Sequence, residues 1–280
     1  MNPKDLYLSK PWLKFYSEGV PAEIEIPDIS VPELFDGVVE KYGSKAALIF
    51  YGKTITYREL KGLVDRLAAA LADLGVKKGD TVALYLLNSP QYVIAYFATL
   101  RLGAKVTPIS PVYTSIEVKH QIEDSEAGTV ICQDILYDNL EKAGVHPERV
   151  VLTSIDEYLP ALKKWFGKSA KAKAYDGKQT LSAEEIKQKG LYSFQDLLKR
   201  SSAAPPAVAI DPRNDLAVLP YTGGTTGLPK AAMLTHRNLV SLQSQVLAFW
   251  PIFEEGKEVV MAFLPFFHIY GQVVVMMGGL

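Results

Sequence analysis

The chain has 280 residues, 48% of them apolar, which is enough to bury a large core and to fill one large or two ordinary domains. Thirty basic residues against thirty-one acidic ones leave a formal charge of −1, and no basic stripe interleaved with aromatics occurs, which argues against nucleic acid as a partner. The single cysteine, Cys132, excludes a disulfide framework and a thiol-built metal site and fits an intracellular compartment.

The N-terminus, Met1-Asn2-Pro3-Lys4-Asp5, lacks the apolar core of a secretion signal. Helix and strand signals then alternate in the manner of a parallel sheet covered by helices. Thr56 and Glu59 form a capping box, after which Leu60, Leu63, Val64, Leu67, Leu71 and Leu74 make an apolar helical stripe that Gly75 ends. Residues 81–87 are expected as the next strand. Ser89 and Pro90 open a helix that ends near Gly103, residues 104–109 return as a strand, and Thr114 with Glu117 caps a helix over 115–124. A strand around 129–132 makes Cys132 a buried strand residue. The pattern is that of a doubly wound α/β unit.

Residues 159–204 differ, being Lys-rich and Ser/Ala-rich with little periodicity before 191–198, and are expected as an excursion or linker. Ala203-Ala204-Pro205-Pro206 marks a stiff connection, dividing a first α/β subdomain (1–204) from the start of a second (205–280). In the second part, 216–219 and 231–234 have strand character and a helix starts at Thr235. Residues 258–264 have strand length, Pro265 stops them, and a buried helix is expected to follow. The window 259–280 carries only His268 and Gln272 as strongly polar groups, and a buried strand followed by a buried helix accounts for it better than a bilayer span.

Between the strands at 216–219 and 231–234 lies Tyr221-Thr222-Gly223-Gly224-Thr225-Thr226-Gly227-Leu228-Pro229-Lys230. Its glycines reach positive φ and let backbone N–H groups approach an anion, its threonines add hydroxyl donors, and Lys230 adds a positive charge. A Walker loop requires a Gly before its Lys, where this chain has Leu228-Pro229, and it leads into a helix, whereas this loop leads into a strand. Amides, hydroxyls and lysine would therefore hold phosphate without a helix dipole. A plain surface turn explains the glycines but not three threonines and a lysine between apolar strands.

The run from Tyr221 to His236 resembles the phosphate-binding signature of the adenylate-forming superfamily, which comprises acyl-CoA synthetases, luciferases and peptide-synthetase adenylation domains. It departs from the usual form at Gly223, where Ser is common, and at Ala231, where Gly is common; the Thr-Gly-Gly-Thr-Thr-Gly variant is similar to the long-chain fatty-acid branch. Leu264-Pro265-Phe266-Phe267-His268-Ile269-Tyr270-Gly271 is similar to the second core motif, which lines the carboxylate and acyl pocket. By chemistry alone, a lone histidine among apolar residues is more often a hydrogen-bonded core residue than a catalytic one. Weaker similarity at Thr56-Tyr57-Arg58-Glu59-Leu60, Gly79-Asp80-Thr81-Val82-Ala83 and Asn88-Ser89-Pro90 extends the match over about residues 28–280.

The resemblance implies an α/β fold of parallel sheets covered by helices, the N-terminal portion of the acyl-CoA synthetase large domain. It implies that a fatty acid and ATP give acyl-adenylate and pyrophosphate, and that coenzyme A then gives the thioester. Carried over residue by residue, Thr222 ligates Mg²⁺ and Gly223, Gly224, Thr225, Thr226, Gly227 and Lys230, together with Thr222, bind the nucleotide. His268 stands at the reacting carboxylate, Phe267 forms pocket wall, and Gln272 takes the place where some long-chain members carry a gating tryptophan. A cytoplasmic or membrane-associated location, peripheral membrane contact and a homodimer are further expectations.

His120 on a polar helix and His146 in a loop are expected to be solvated or capping groups, and His236 to be structural; no spacing suggests zinc. The Tyr-Gly-x-Thr-Glu motif, the ribose aspartate and the mobile domain with the adenylation lysine are not in this sequence, so a partial chain without turnover of its own is expected. Beside the fatty-acid ligase stand two alternatives: an adenylating relative with a carrier-protein thiol as acceptor, and a non-catalytic phosphate-binding fragment.

Overall fold

The computed structural model describes residues 2–160, 181–202, 204–223 and 228–280. Helices start where the sequence supplies caps. Ser30, Thr56 and Thr114 each accept a hydrogen bond from a backbone N–H three residues on, and Glu33, Glu59 and Glu117 return the bond, opening α2 (Val31–Tyr42), α3 (Tyr57–Asp73) and α5 (Ser115–Asp124) after the short α1 (Pro3–Leu8). Each such cap is worth about 1 kcal/mol. Ser89 caps α4 (Pro90–Arg101), whose residues are all buried from Pro90 to Leu100, as expected of a helix that is apolar all round. The remaining helices are α6 (Tyr137–Lys142), α7 (Ala183–Gln188), α8 (Phe194–Arg200), α9 (His236–Phe249) and a π-helical stretch over Gly271–Met277.

A hairpin of β1 (Ala46–Phe50) and β2 (Lys53–Thr56) turns through Tyr51 and Gly52, both at positive φ, the backbone a tight two-residue hairpin requires. The main sheet contains β3 (Thr81–Tyr85), β4 (Lys105–Pro108), β5 (Ala127–Gln133), β6 (Arg149–Thr153), β7 (Tyr192–Ser193), β8 (Leu216–Val218) and β11 (Leu234–Thr235), in the order β11-β8-β4-β3-β5-β6-β7. All neighbours are parallel except β11, which runs against β8. A second small hairpin pairs β9 (Tyr221–Thr222) with β10 (Lys230–Ala231).

From β3 the chain moves to β4 on one side, then crosses back over β3 to β5 on the other. The helices between these strands therefore lie on opposite faces. Residues of α2, α3, α4, α8 and α9 share one core, and residues of α5, α6 and α7 share the other. Such a reversal opens a crevice at the carboxyl ends of the strands, the usual ligand position in doubly wound sheets.

Most expected elements form close to their expected bounds, and Cys132 is fully buried in β5. Strands on both sides of the expected boundary near 204 share the sheet, since β8 hydrogen-bonds with β4 and β11 with β8. Two expectations are corrected. Part of the expected linker is sheet: Tyr192 and Ser193 pair with Val151 and Leu152, while the calls on 161–180 and on Ala203 lie outside the described residues. Residues 258–264 form no strand, since none of the described strands pairs with them, and Val259, Met261 and Phe263 are exposed. Among the described residues no helix is long and apolar enough to cross a membrane.

Candidate active site

Strand β8 ends at the carboxyl edge beside β4, and the chain continues through Pro220 into the β9–β10 hairpin. Thr222 pairs with Lys230 and Ala231 with Tyr221, so both ends of the predicted loop are themselves paired strands, and the strand expected at 231–234 is divided between β10 and β11. Ala232 N–H bonds to Pro220 O at 3.0 Å and closes the root of the hairpin. The Thr222 hydroxyl donates to Lys230 O at 3.4 Å, and both residues are exposed, as is Gly223. The predicted site residues Gly224, Thr225, Thr226 and Gly227 lie outside the described residues.

The hairpin rests on α5. Tyr221 Oη donates to Asp124 Oδ2 at 2.5 Å, and Nε2 of His120 lies 2.8 Å from Pro229 O. The rings of His120 and Tyr221 meet edge to face at 6.1 Å. Pro229 O can only accept, so His120 must carry its proton on Nε2. Burial, and then the neighbouring Asp124 carboxylate, push the Tyr221 phenol well above its ordinary pKa, so it stays a donor. His120, expected to be a solvated or capping group, is half-buried against the hairpin. Its i, i+4 spacing from Asp124 is the only sequence signal that puts both on one helical face.

The second predicted motif stands at the same edge. Asn88 follows β3, and its amide donates to Ala262 O at 3.0 Å and Leu264 O at 2.7 Å while its oxygen accepts from Phe266 N at 2.8 Å. Strand β4 lies between β3 and β8, so Asn88, which anchors this turn, and the segment leading into the hairpin follow strands about 10 Å apart, two inter-strand spacings. Beneath the turn, Tyr92 Oη donates to Phe266 O at 2.7 Å, and Gln272 Nε2 donates to Tyr92 Oη at 3.0 Å. Burial raises the Tyr92 phenol far above its ordinary pKa, so it too remains a hydrogen-bond donor. Gly271 is required, since a Cβ there would lie 2.1 Å from Pro265 O.

His268 is exposed, and its Nδ1 accepts from Tyr270 N at 3.3 Å, which leaves Nε2 as the protonated nitrogen of the neutral ring. Phe267 is half-buried beside it. Gln272, expected on the acyl-pocket wall, is fully buried under the turn, where its amide secures Tyr92. Asn88 and Tyr92 were missed as site residues: one had been read only as part of a motif before a helix cap, the other as helix interior.

His236 is structural, as expected. It is fully buried and its Nδ1 accepts from Val31 N at 3.3 Å, bridging the start of α9 to the start of α2. Burial lowers its pKa to about 4, against weaker opposite pulls from Asp215 and Glu33, so the ring is neutral near pH 7. No group of His, Cys, Asp and Glu suited to a metal ion occurs among the described residues. A depression of about 480 Å³ between α3 and α8 is lined by Leu63, Arg66, Gln195, Leu198, Lys199 and Ser201, none of them predicted site residues.

Comparison with known proteins gives the arrangement a context. The model of the AMP-binding enzyme family matches residues 35–280. A long-chain-fatty-acid–CoA ligase of Bacillus subtilis is 33% identical over 270 residues, covering 95% of this chain and 47% of that protein. One of Salmonella typhimurium is 36% identical over 272 residues, covering 94% and 47%. Among solved structures, a long-chain-fatty-acid–CoA ligase from Archaeoglobus fulgidus superposes with a TM-score of 0.70 at 30% identity, covering 94% of this chain and 47% of that one. The chain thus spans about half the length of the curated relatives it matches.

Proposed function

The chain belongs to the AMP-binding enzyme family, and from that premise we propose that it supplies the polyphosphate-binding and carboxylate-facing part of an ATP-dependent fatty-acid–CoA ligase. The observation that carries this is the placement of the Lys230 hairpin and the His268 turn at one carboxyl edge, a single strand apart. In this chemistry a fatty-acid carboxylate oxygen attacks the α-phosphorus of ATP, the bond to pyrophosphate breaks, and acyl-adenylate forms. A coenzyme A thiol then attacks the carbonyl, loses its proton, and releases AMP.

Each described residue has a part in that scheme. Lys230, exposed on β10, neutralises polyphosphate charge that would otherwise repel the incoming carboxylate. Thr222 offers one hard hydroxyl oxygen on the adjacent strand, which fits Mg²⁺, an ion that takes most of its ligands from phosphate and water and needs few from protein. When bound, Mg²⁺ would supply neutralisation of phosphate charge there. His268 and Phe267, held in place from beneath, stand at the carboxylate and the start of the acyl chain. Gly224, Thr225, Thr226 and Gly227 belong to the proposal as further phosphate contacts.

Peripheral contact with a lipid surface also belongs to the proposal. Leu8 and Phe15 are exposed beside Lys4, Lys10 and Lys14 near the N-terminus, a combination of apolar and basic groups that favours an anionic interface. Reduced co-sedimentation of Phe15→Ser with anionic vesicles would support that contact.

The test of the main reading is pyrophosphate exchange into ATP with a panel of fatty acids, run on this chain and on any longer product of the same reading frame. Fatty-acid-dependent exchange that Lys230→Ala lowers by about 100-fold is expected of the complete ligase, the scale seen when one charge-stabilising group is lost. No exchange by the complete protein, or exchange indifferent to Lys230→Ala, would sink the reading. Acyl transfer to a carrier-protein thiol in place of coenzyme A would move the assignment to the other acceptor class.

A further inference from the structure

We infer that His120 and Asp124 on α5 are positioning residues that clamp both arms of the phosphate hairpin at its base. The inference rests on the phosphate-binding reading above for its consequence, though not for its geometry. Asp124 holds the incoming arm through the Tyr221 hydroxyl at 2.5 Å. His120 touches that arm through its ring, 6.1 Å from the Tyr221 ring, and holds the outgoing arm through Pro229 O at 2.8 Å, one residue before Lys230. One helical face therefore grips both sides of the loop at its base.

The hairpin needs such a grip. Its ladder is only two residue pairs long, and a two-stranded hairpin of that size is not stable alone. Below it the attachments include the Ala232–Pro220 bond, the bonds of Leu219 to Val106 O and Thr107 Oγ1, and the short pairing of β8 with β4 and β11. A loop that binds an anion through backbone N–H groups gains affinity when those groups are already in place, because less order remains to be imposed on binding. The α5 clamp fixes the loop's two ends without occupying Lys230 or Thr222, both of which stay exposed.

His120 is suited to the task by one atom. Pro229 contributes a carbonyl with no N–H, so the partner must be a donor at the position of Nε2. Glutamine can place an amide N–H near that point, while alanine and leucine cannot. This distinction separates a hydrogen-bonded clamp from simple packing.

Two measurements on the chain test the proposal. The first is amide hydrogen exchange without ligand, followed in peptides covering 219–233. His120→Ala, His120→Leu and Tyr221→Phe should each speed exchange there by about 5-fold, the value of one net hydrogen bond, while peptides of β3, β5 and α4 stay unchanged. His120→Gln should restore most of the protection. Unchanged exchange in His120→Ala and Tyr221→Phe, or equal loosening in His120→Leu and His120→Gln, overturns the clamp.

The second is calorimetric titration with MgATP and with inorganic pyrophosphate, with Lys230→Ala as control. Weakening by about 5-fold in His120→Ala and recovery in His120→Gln, alongside a larger loss in Lys230→Ala, is the expected result. Loss in Lys230→Ala with full affinity in His120→Ala overturns the positioning role and leaves the phosphate reading standing. Full affinity in Lys230→Ala overturns the phosphate reading, while the exchange data decide the clamp on their own.

Discussion

The hairpin carrying Lys230 and the turn carrying His268 stand at the same edge of the sheet and are held in opposite ways. The hairpin is gripped from outside by half-buried side chains, Tyr221 and His120. The turn is tied from beneath by Asn88 and by Tyr92 and Gln272, both fully buried. A hydrogen bond open to water contributes little net free energy, because water replaces it when it breaks. A buried one costs far more to lose, since its partner is left unsatisfied. On the proposed roles, the phosphate-binding hairpin is therefore the less firmly tied element and the carboxylate-facing turn the more firmly tied one.

The comparison can be broken by measurement. The largest effect is expected at His236, which caps α2 from the start of the helix following the hairpin. Its folded pKa of about 4 lies below the ordinary 6.5, so the unfolded chain takes up the proton first. Its contribution is complete above pH 6.5 and is lost as the pH falls towards 4, an effect of about 3 kcal/mol. Urea unfolding of the parent and of His236→Asn between pH 7 and pH 4 should show a shallower slope in the variant, whose side-chain oxygen can still accept from Val31. Equal slopes would remove His236 as the acid-sensitive joint.

Next in size is Asn88→Ala, which takes three hydrogen bonds from the His268 turn and should cost about 2 kcal/mol in urea unfolding. It should also speed amide exchange over 262–270 and leave the hairpin untouched. Tyr92→Phe removes one buried hydroxyl and should cost about 1.5 kcal/mol, because Gln272 loses its shorter contact. Tyr221→Phe on the hairpin should cost about 0.5 kcal/mol or less of global stability while loosening the loop locally. If Tyr221→Phe proved as costly as Tyr92→Phe, the proposed contrast between the two attachments would fail.

Much of this was legible in order along the chain. Capping boxes at Thr56 and Thr114, the Ser89-Pro90 start and the leucine stripe of α3 are local signals, decided by backbone N–H groups within three or four residues. The loop between two strands was legible for the same reason. Residues 258–264 misled because an apolar run of strand length becomes a strand only if another edge is there to pair with it. The depth of Gln272 was not legible because a motif position says nothing of depth; its Nε2 bonds to Tyr92 Oη and Phe266 O in the core.

By itself the sequence determined the identity of the caps, the alternation of helix and strand, the strand-flanked Gly/Thr-rich stretch and the family. Each of these rests on neighbours in the chain or on a run of residues read in order. Only the tertiary structure decided that β8 joins the sheet next to β4, that Asn88 anchors a turn 174 to 178 residues away, and that His120 and Asp124 face the hairpin. Those facts depend on which strand edges meet and which helix crosses to which face. Burial and pairing across long separations set them; the i, i+4 spacing of His120 and Asp124 gives them one face of α5 but not what that face meets.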